Sequence, residues 1–140
     1  MFVLDTNVLL AMMGRAPPPE VAAWVSGQPV EQLFTTVICQ AEILSGIAIL
    51  PEGRRRSALE AAAQAMFVED FEGRVLPFDT NAAAAYADLF TARWRAGRPT
   101  AMADLMIVAV ARTHGATLAT RNLADFEGCG IILVDPWNAA

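Results

Sequence analysis

The sequence predicts an α/β domain: a parallel sheet of four to five strands with helices on both faces. Short apolar runs alternate with longer helical segments along all 140 residues, the order in which parallel strands and crossover helices follow one another. The runs are built from Val, Ile, Leu and Phe and stop at polar or turn residues, as buried strands do. No repeat, low-complexity tract or linker interrupts them. A chain of this length suits one domain, so residues 1–140 read as a single unit.

Each element carries its own signal. Met1 to Leu4 is a first strand that stops at Asp5. Thr6-Asn7 opens a helix to about Met13, and Pro17-Pro18-Pro19 breaks the chain before a short helix from Glu20 to Ser26. Leu33 to Thr36 is a second strand, after which Thr35 or Thr36 caps a helix from Val37 to Leu50. Pro51-Glu52-Gly53 turns the chain into an Ala-rich helix from Arg54 to Asp70. Gly73 to Phe78 is a third strand; Asp79 caps a helix through about Arg95, which Gly97-Arg98-Pro99 ends. Thr100 caps a nearly all-apolar helix from Ala101 to His114, closed by Gly115. Ala116 to Thr120 and Ile131 to Val134 are the last two strands, and Pro136 stops the second of them.

Composition excludes several chemistries. The longest strongly apolar run, Val37 to Leu50, contains Gln40 and Glu42, so it reads as a buried helix and not a bilayer span. No basic stretch precedes the first apolar run, as a signal peptide requires, and a soluble cytoplasmic protein is expected. Cys39 and Cys129 form no CxxC pair and read as small buried hydrophobes. His114 is the only histidine, so a His-rich zinc site is excluded and its place is structural, near a helix end. All ten basic residues are arginine. Without lysine there is no P-loop, no Schiff base, and no receiver- or phosphatase-type aspartate site with its lysine partner. The net charge of −5 argues against a broadly cationic nucleic-acid surface. Arg54-Arg55-Arg56 and Arg93, Arg95 and Arg98 form two clusters, read either as local patches or as solvated helix faces.

The acids point to a site. In open parallel sheets ligands gather outside the C-terminal strand ends. Asp5 stands at one such end; Asn122 and Asp125 follow another, after Thr120. Asp104 lies in the first turn of one apolar helix and Glu42 about two turns into another. Capping accounts for Asp5, and a helix dipole for Asp104, when each is taken alone. Glu42 differs: its helical neighbours Ile38, Cys39, Ser45 and Gly46 suggest burial, and a buried carboxylate needs an arginine or a metal ion. Converging carboxylates repel unless a cation joins them, and oxygen ligands select Mg²⁺ or Mn²⁺. An ion so held activates water and stabilises charge on a phosphate, which makes phosphodiester hydrolysis the natural reaction class. Asp70, Asp79, Asp88 and Asp135 read as caps or surface acids.

Four segments, in order, resemble the PIN-domain family. Phe2-Val3-Leu4-Asp5-Thr6-Asn7 resembles its opening, Ala41-Glu42-Ile43 its second acidic position, and Ala103-Asp104-Leu105-Met106-Ile107-Val108-Ala109 its third. Ala119-Thr120-Arg121-Asn122-Leu123-Ala124-Asp125-Phe126 is similar to its closing motif, and Asp135-Pro136-Trp137 to its ending. The resemblance spans nearly the whole chain and is closest to the VapC toxin group, especially FitB-like members. It implies a Mg²⁺- or Mn²⁺-dependent endoribonuclease, the toxin of a type II toxin–antitoxin system. It also implies a homodimer and a small VapB-like antitoxin that blocks the site and binds operator DNA. By position, Asp5, Glu42 and Asp104 carry over as metal-binding or catalytic acids, with Asn7 and Thr120 orienting ligands or water. At the fourth acidic position FitB-like proteins can have Asp where this chain has Asn122. Asp125, three residues on, is the available carboxylate: either it reaches the site, directly or through water, or the site has three acids. PIN domains also occur as inactive modules. The alternative expectation is therefore a catalytically weak module that works with an antitoxin-like partner in a DNA-binding complex.

Overall fold

A computed structural model of the chain describes residues 1–139. Five short parallel strands, β1 (Phe2–Leu4), β2 (Leu33–Thr36), β3 (Val75–Leu76), β4 (Thr117–Ala119) and β5 (Leu133–Val134), form one sheet in the order β3-β2-β1-β4-β5. Around them lie α1 (Thr6–Met13), α2 (Pro19–Ser26), α3 (Val37–Ala48), α4 (Arg54–Gln64), α5 (Thr80–Arg95), α6 (Met102–Thr113) and α7 (Leu123–Phe126). No helix among the described residues is long and apolar enough to cross a membrane.

The strand order places β1 at the centre. Val3 lies opposite Phe34 of β2 on one side and Leu118 of β4 on the other. From β1 the chain winds outward through β2 to β3, then crosses back to β4 and winds outward again to β5. Right-handed crossovers therefore put the helices before β3 on one face of the sheet and those after it on the other. The reversal between β2 and β4 opens a crevice above the C-terminal end of β1. Asp5 is the first residue beyond that end.

Burial explains why these short strands hold. Val3, Leu4, Leu118 and Ala119 are fully buried or nearly so, and they pack with Val8, Leu9, Leu105, Ile107 and Val108 from both helical layers. At about 25 cal/mol per Å² of apolar surface, each such side chain contributes about 1.5–3 kcal/mol, enough to offset the weak pairing of two- and three-residue strands. Helix starts are pinned locally. Thr36 Oγ1 accepts the Cys39 N–H at 3.1 Å, and Asp79 Oδ1 accepts the Ala82 N–H at 2.9 Å. Thr35, the alternative cap, instead donates its hydroxyl to the Leu4 carbonyl at 2.9 Å and so ties β2 to β1. The Cys39 thiol reaches the same carbonyl at 3.7 Å, and burial pushes it up.

Several local expectations are corrected. The third strand, expected over Gly73–Phe78, is ladder-paired only at Val75 and Leu76, because Arg74 and Pro77 flank it at the sheet edge. The helix from Arg54 relaxes into a π-helical extension over Ala65–Asp70. Thr100 does not cap α6. The helix begins one residue later than expected, Ala101 takes the cap position without a side-chain bond, and the Thr100 hydroxyl donates backward to the Arg98 carbonyl at 3.3 Å. Gly115 closes α6 at φ +61°, a conformation that disfavours any side chain.

Removing one cap should be felt throughout β2 and α3. Thr36→Ala is expected to cost about 1 kcal/mol and lower the melting temperature by about 3 °C, with Thr36→Ser recovering most of the loss. Thermal melts followed by circular dichroism check this; an unchanged Thr36→Ala midpoint contradicts the role of the cap.

Candidate active site

The crevice above β1 is organised by Asp5. Its backbone N–H continues the ladder by donating to the Ala119 carbonyl at 2.9 Å. Its side chain then caps α1, accepting the Thr6 N–H on Oδ1 at 2.8 Å. The other oxygen, Oδ2, accepts the Thr120 hydroxyl at 2.8 Å and the Asn7 amide at 3.4 Å. Asp5 is only 4% exposed and Thr120 is fully buried. A carboxylate that takes two donors from the first turn of α1 and one from the exit of β4 is held in one orientation.

Asn7 and Thr120 complete the latch. Asn7 donates to Thr120 Oγ1 at 3.3 Å, and its Oδ1 accepts the Arg121 N–H at 3.2 Å. Thr120 Oγ1 also accepts the Asn122 N–H at 3.1 Å. Asn122 thus takes part through its backbone; its side chain makes no hydrogen bond among the described residues and leaves α7 without a side-chain cap. The Arg121 guanidinium lies 5.0 Å from the centre of the Trp137 ring, so the C-terminal turn packs on this segment.

The remaining acids approach from three elements. Asp104, half-buried in the first turn of α6, and Asp125, exposed on α7, line one cavity of about 340 Å³. Glu42, on α3, accepts the Thr6 hydroxyl at 3.0 Å. Its expected burial is corrected: Glu42 is exposed. It shares its helix face with Gly46, and with no side chain there the face opens on a second cavity of about 340 Å³, lined also by Thr6 and Arg55. A larger apolar cavity of about 690 Å³ lies across α1, among Leu9, Met12, Val25 and Met66, and includes none of the four acids.

Electrostatics joins what distance keeps apart. Burial pushes the Asp5 carboxyl above the usual carboxylate range, and the charges of Glu42 and Asp125 push it the same way. The Thr120 hydroxyl and the Thr6 N–H oppose the rise without cancelling it. Asp104 is likewise raised by burial and then by the charges of Asp5 and Asp125. Asp5 and Asp104 therefore both feel the charge of Asp125, and Asp104 feels that of Asp5 as well. Among the described residues, however, no three such side chains stand at metal-cage spacing. The donor set is nonetheless of one kind, carboxylate and hydroxyl oxygen, and among the described residues none of these acids is in an ion pair, which suits a hard divalent ion that keeps several of its waters.

Two participants were missed by sequence reasoning. Arg93, taken as part of a surface cluster, is buried: it donates to the Asp125 carbonyl at 3.0 Å and to Cys129 Sγ at 2.7 Å, bracing α7 from α5. Its signal was present, since Arg93 falls four residues after Leu89 on the helix stripe that begins with Ala82. Thr6, read only as a helix opener, is the bridge from Asp5 to Glu42.

Comparison with known proteins gives a consistent relationship. Residues 2–127 match the PIN domain. The chain is 37% identical to the VapC ribonuclease Y4jK of Sinorhizobium fredii over 140 residues, the whole of both chains. It is 33% identical to the toxin FitB of Neisseria gonorrhoeae over 138 residues, 99% of each. A solved structure of FitAB bound to an IR36 DNA fragment superposes with a TM-score of 0.90 at 33% identity, covering 99% of this chain and 96% of that one.

The crowded acids should destabilise the metal-free fold. In chelator at pH 7, Asp104→Asn is expected to melt a few degrees above the parent, because the amide removes repulsion with Asp5 and Asp125. Raised carboxyls bind protons more tightly folded than unfolded. Their stabilisation is complete below the ordinary carboxylate range and is lost as pH rises through the raised values. The gap between variant and parent should therefore widen from about pH 4 to pH 7. Melting curves across that window check it; a variant that melts below the parent at pH 7 contradicts the repulsion.

Proposed function

The chain belongs to the PIN-domain family, and on that premise we propose that it is a Mg²⁺- or Mn²⁺-dependent endoribonuclease that serves as the toxin of a type II toxin–antitoxin system. The observation that carries this reading is the buried Asp5 carboxylate, oriented by Thr6, Asn7 and Thr120 at the strand-end crevice, with the charges of Glu42 and Asp125 acting on it and its own charge acting on Asp104. The names of relatives support it: one is a VapC ribonuclease, another a toxin.

Asp5, Asp104 and Glu42 are the proposed metal-binding acids, with Asp125 as the fourth acid from α7. When bound, the ion supplies an activated water and charge stabilisation at the phosphate. The protein's own part is positioning. Thr120 and Asn7 hold Asp5 Oδ2 from the buried side, and the Thr6 N–H holds Oδ1, so the carboxylate cannot rotate away from the crevice. Thr6 spans Asp5 and Glu42 and keeps the α3 acid at the rim. Arg93 holds α7, and hence Asp125, against α5. Asn122 shapes the loop through its backbone contact with Thr120.

The proposed substrate is RNA, the proposed location the cytoplasm, and the proposed assembly a homodimer. A VapB-like antitoxin is the proposed partner, through which alone operator DNA is reached; a relative solved as FitAB on DNA supports that arrangement. A second reading, a catalytically weak module acting in such a complex, is favoured by one observation: the absence of three acids at metal-cage spacing among the described residues.

Purified protein should cleave single-stranded RNA with Mg²⁺ or Mn²⁺ and lose that activity in chelator. Asp5→Asn should abolish cleavage, and Thr120→Val, which frees Asp5 Oδ2, should reduce it about 10- to 100-fold. Gel analysis of labelled RNA is the measurement. Cleavage that survives both chelator and Asp5→Asn overturns the ribonuclease reading; saturable partner binding without any cleavage favours the second.

A further inference from the structure

The cavity that holds Asp104 and Asp125 has a second wall of opposite sign. Arg98 lines it, exposed, on the turn between α5 and α6, and Thr100 lines it beside Arg98. Among the described residues the one ion pair is Arg56 with Glu60 at 2.8 Å. Arg98 therefore shares a cavity with two carboxylates without pairing with either. The acids remain open to a cation and the guanidinium to an anion.

The turn that carries Arg98 is held in place. Its N–H donates to the Arg93 carbonyl at 3.0 Å, the Gly97 N–H to the Trp94 carbonyl at 3.1 Å, and the Thr100 hydroxyl to the Arg98 carbonyl at 3.3 Å. Gly97 takes φ +66° and Pro99 follows, so the backbone at Arg98 has little freedom. Beneath it, Arg93 is buried with its guanidinium on α7. The cavity thus has a cationic side, carried on a held backbone, in a protein of net charge −5.

A lone anion entering here meets Asp104 and Asp125, and a lone cation meets Arg98. A phosphodiester accompanied by a divalent ion satisfies both walls at once. We infer that this cavity seats a backbone phosphate of the nucleic-acid substrate, with Arg98 as the clamp that receives its oxygens. The inference rests on the ribonuclease reading for the identity of its ligand. Guanidinium suits the task because its donors match two phosphate oxygens together. Arg98 is a substrate-positioning residue at the rim, separate from the acids that would hold the metal.

The test is binding of a short single-stranded, phosphorothioate-linked RNA, which resists hydrolysis, in Mg²⁺ by fluorescence anisotropy at several salt concentrations. Arg98→Gln should weaken binding about tenfold and lower the salt slope by about 0.7, the contribution of one single-strand phosphate contact. Arg98→Lys should keep most of the slope. Arg112→Gln, exposed at the far end of α6, should leave both unchanged. With cleavable RNA, Arg98→Gln should raise KM more than it lowers kcat. Parental affinity and slope in Arg98→Gln overturn the inference, as does a parent that binds no RNA. A parent that binds RNA through Arg98 but never cleaves it overturns the ribonuclease reading and leaves the phosphate seat standing.

Discussion

The hydrogen bond from the Thr120 hydroxyl to Asp5 Oδ2, 2.8 Å long and closed to solvent, is the contact on which the rest of the site depends. It joins the exits of the two central strands at the point where the strand order reverses. Through the same carboxylate it sets the start of α1, and through Asn7 it sets the path of the chain after β4. Alpha-helical caps are usually surface conveniences worth about 1 kcal/mol. Here the capping carboxylate is buried, so its orientation is inherited by everything placed around it. Asp104 from α6, Asp125 from α7 and Glu42 from α3 are brought toward an acid that cannot turn aside.

That arrangement carries an electrostatic cost. Burial and neighbouring negative charge both raise Asp5 and Asp104, and among the described residues neither makes an ion pair. Arg93, the buried arginine, is committed to the Asp125 carbonyl and Cys129 and not to a carboxylate. A fold that braces acids against one another and leaves them unpaired is poised for a ligand of opposite charge. The open spacing of the four acids fits an ion that retains water better than one caged by protein alone. Stability given up at the crevice is supplied by the apolar layers on either side of β1 and β4.

Much of this was legible in the residues. Asp5 could be placed at a strand end because Phe2-Val3-Leu4 is apolar and Thr6-Asn7 begins a helix; the strand and helix bounds follow from that pattern. The cap Asp79 was equally readable, since it precedes a helix-forming run, whereas Thr36 could not be told from Thr35 until the fold gave Thr35 to the Leu4 carbonyl. What failed depended on tertiary space. Glu42 sits on an apolar helix yet is exposed, because α3 turns Ile38, Cys39, Ile43 and Ile47 inward and leaves Glu42 on its outer face with apolar Ala41 and Leu44, so composition alone misleads. Arg93 looked like surface charge beside Arg95, but the stripe from Ala82 through Leu89 carries it inward. Thr100 had the right residue type for a cap, but α6 starts one residue too late for it. The fourth acidic position was undecided between Asn122 and Asp125. The structure separates their environments: Asn122 contributes backbone, and Asp125 faces the cavity with Asp104.

If the acids around Asp5 form one divalent-cation site, that ion can be located directly. The most direct measurement is anomalous diffraction from crystals of the protein saturated with Mn²⁺. A manganese peak is expected in contact with the Asp5 carboxylate and shared with Asp104, directly or through water. Saturated crystals with no peak at Asp5, or with manganese bound only elsewhere, would contradict it.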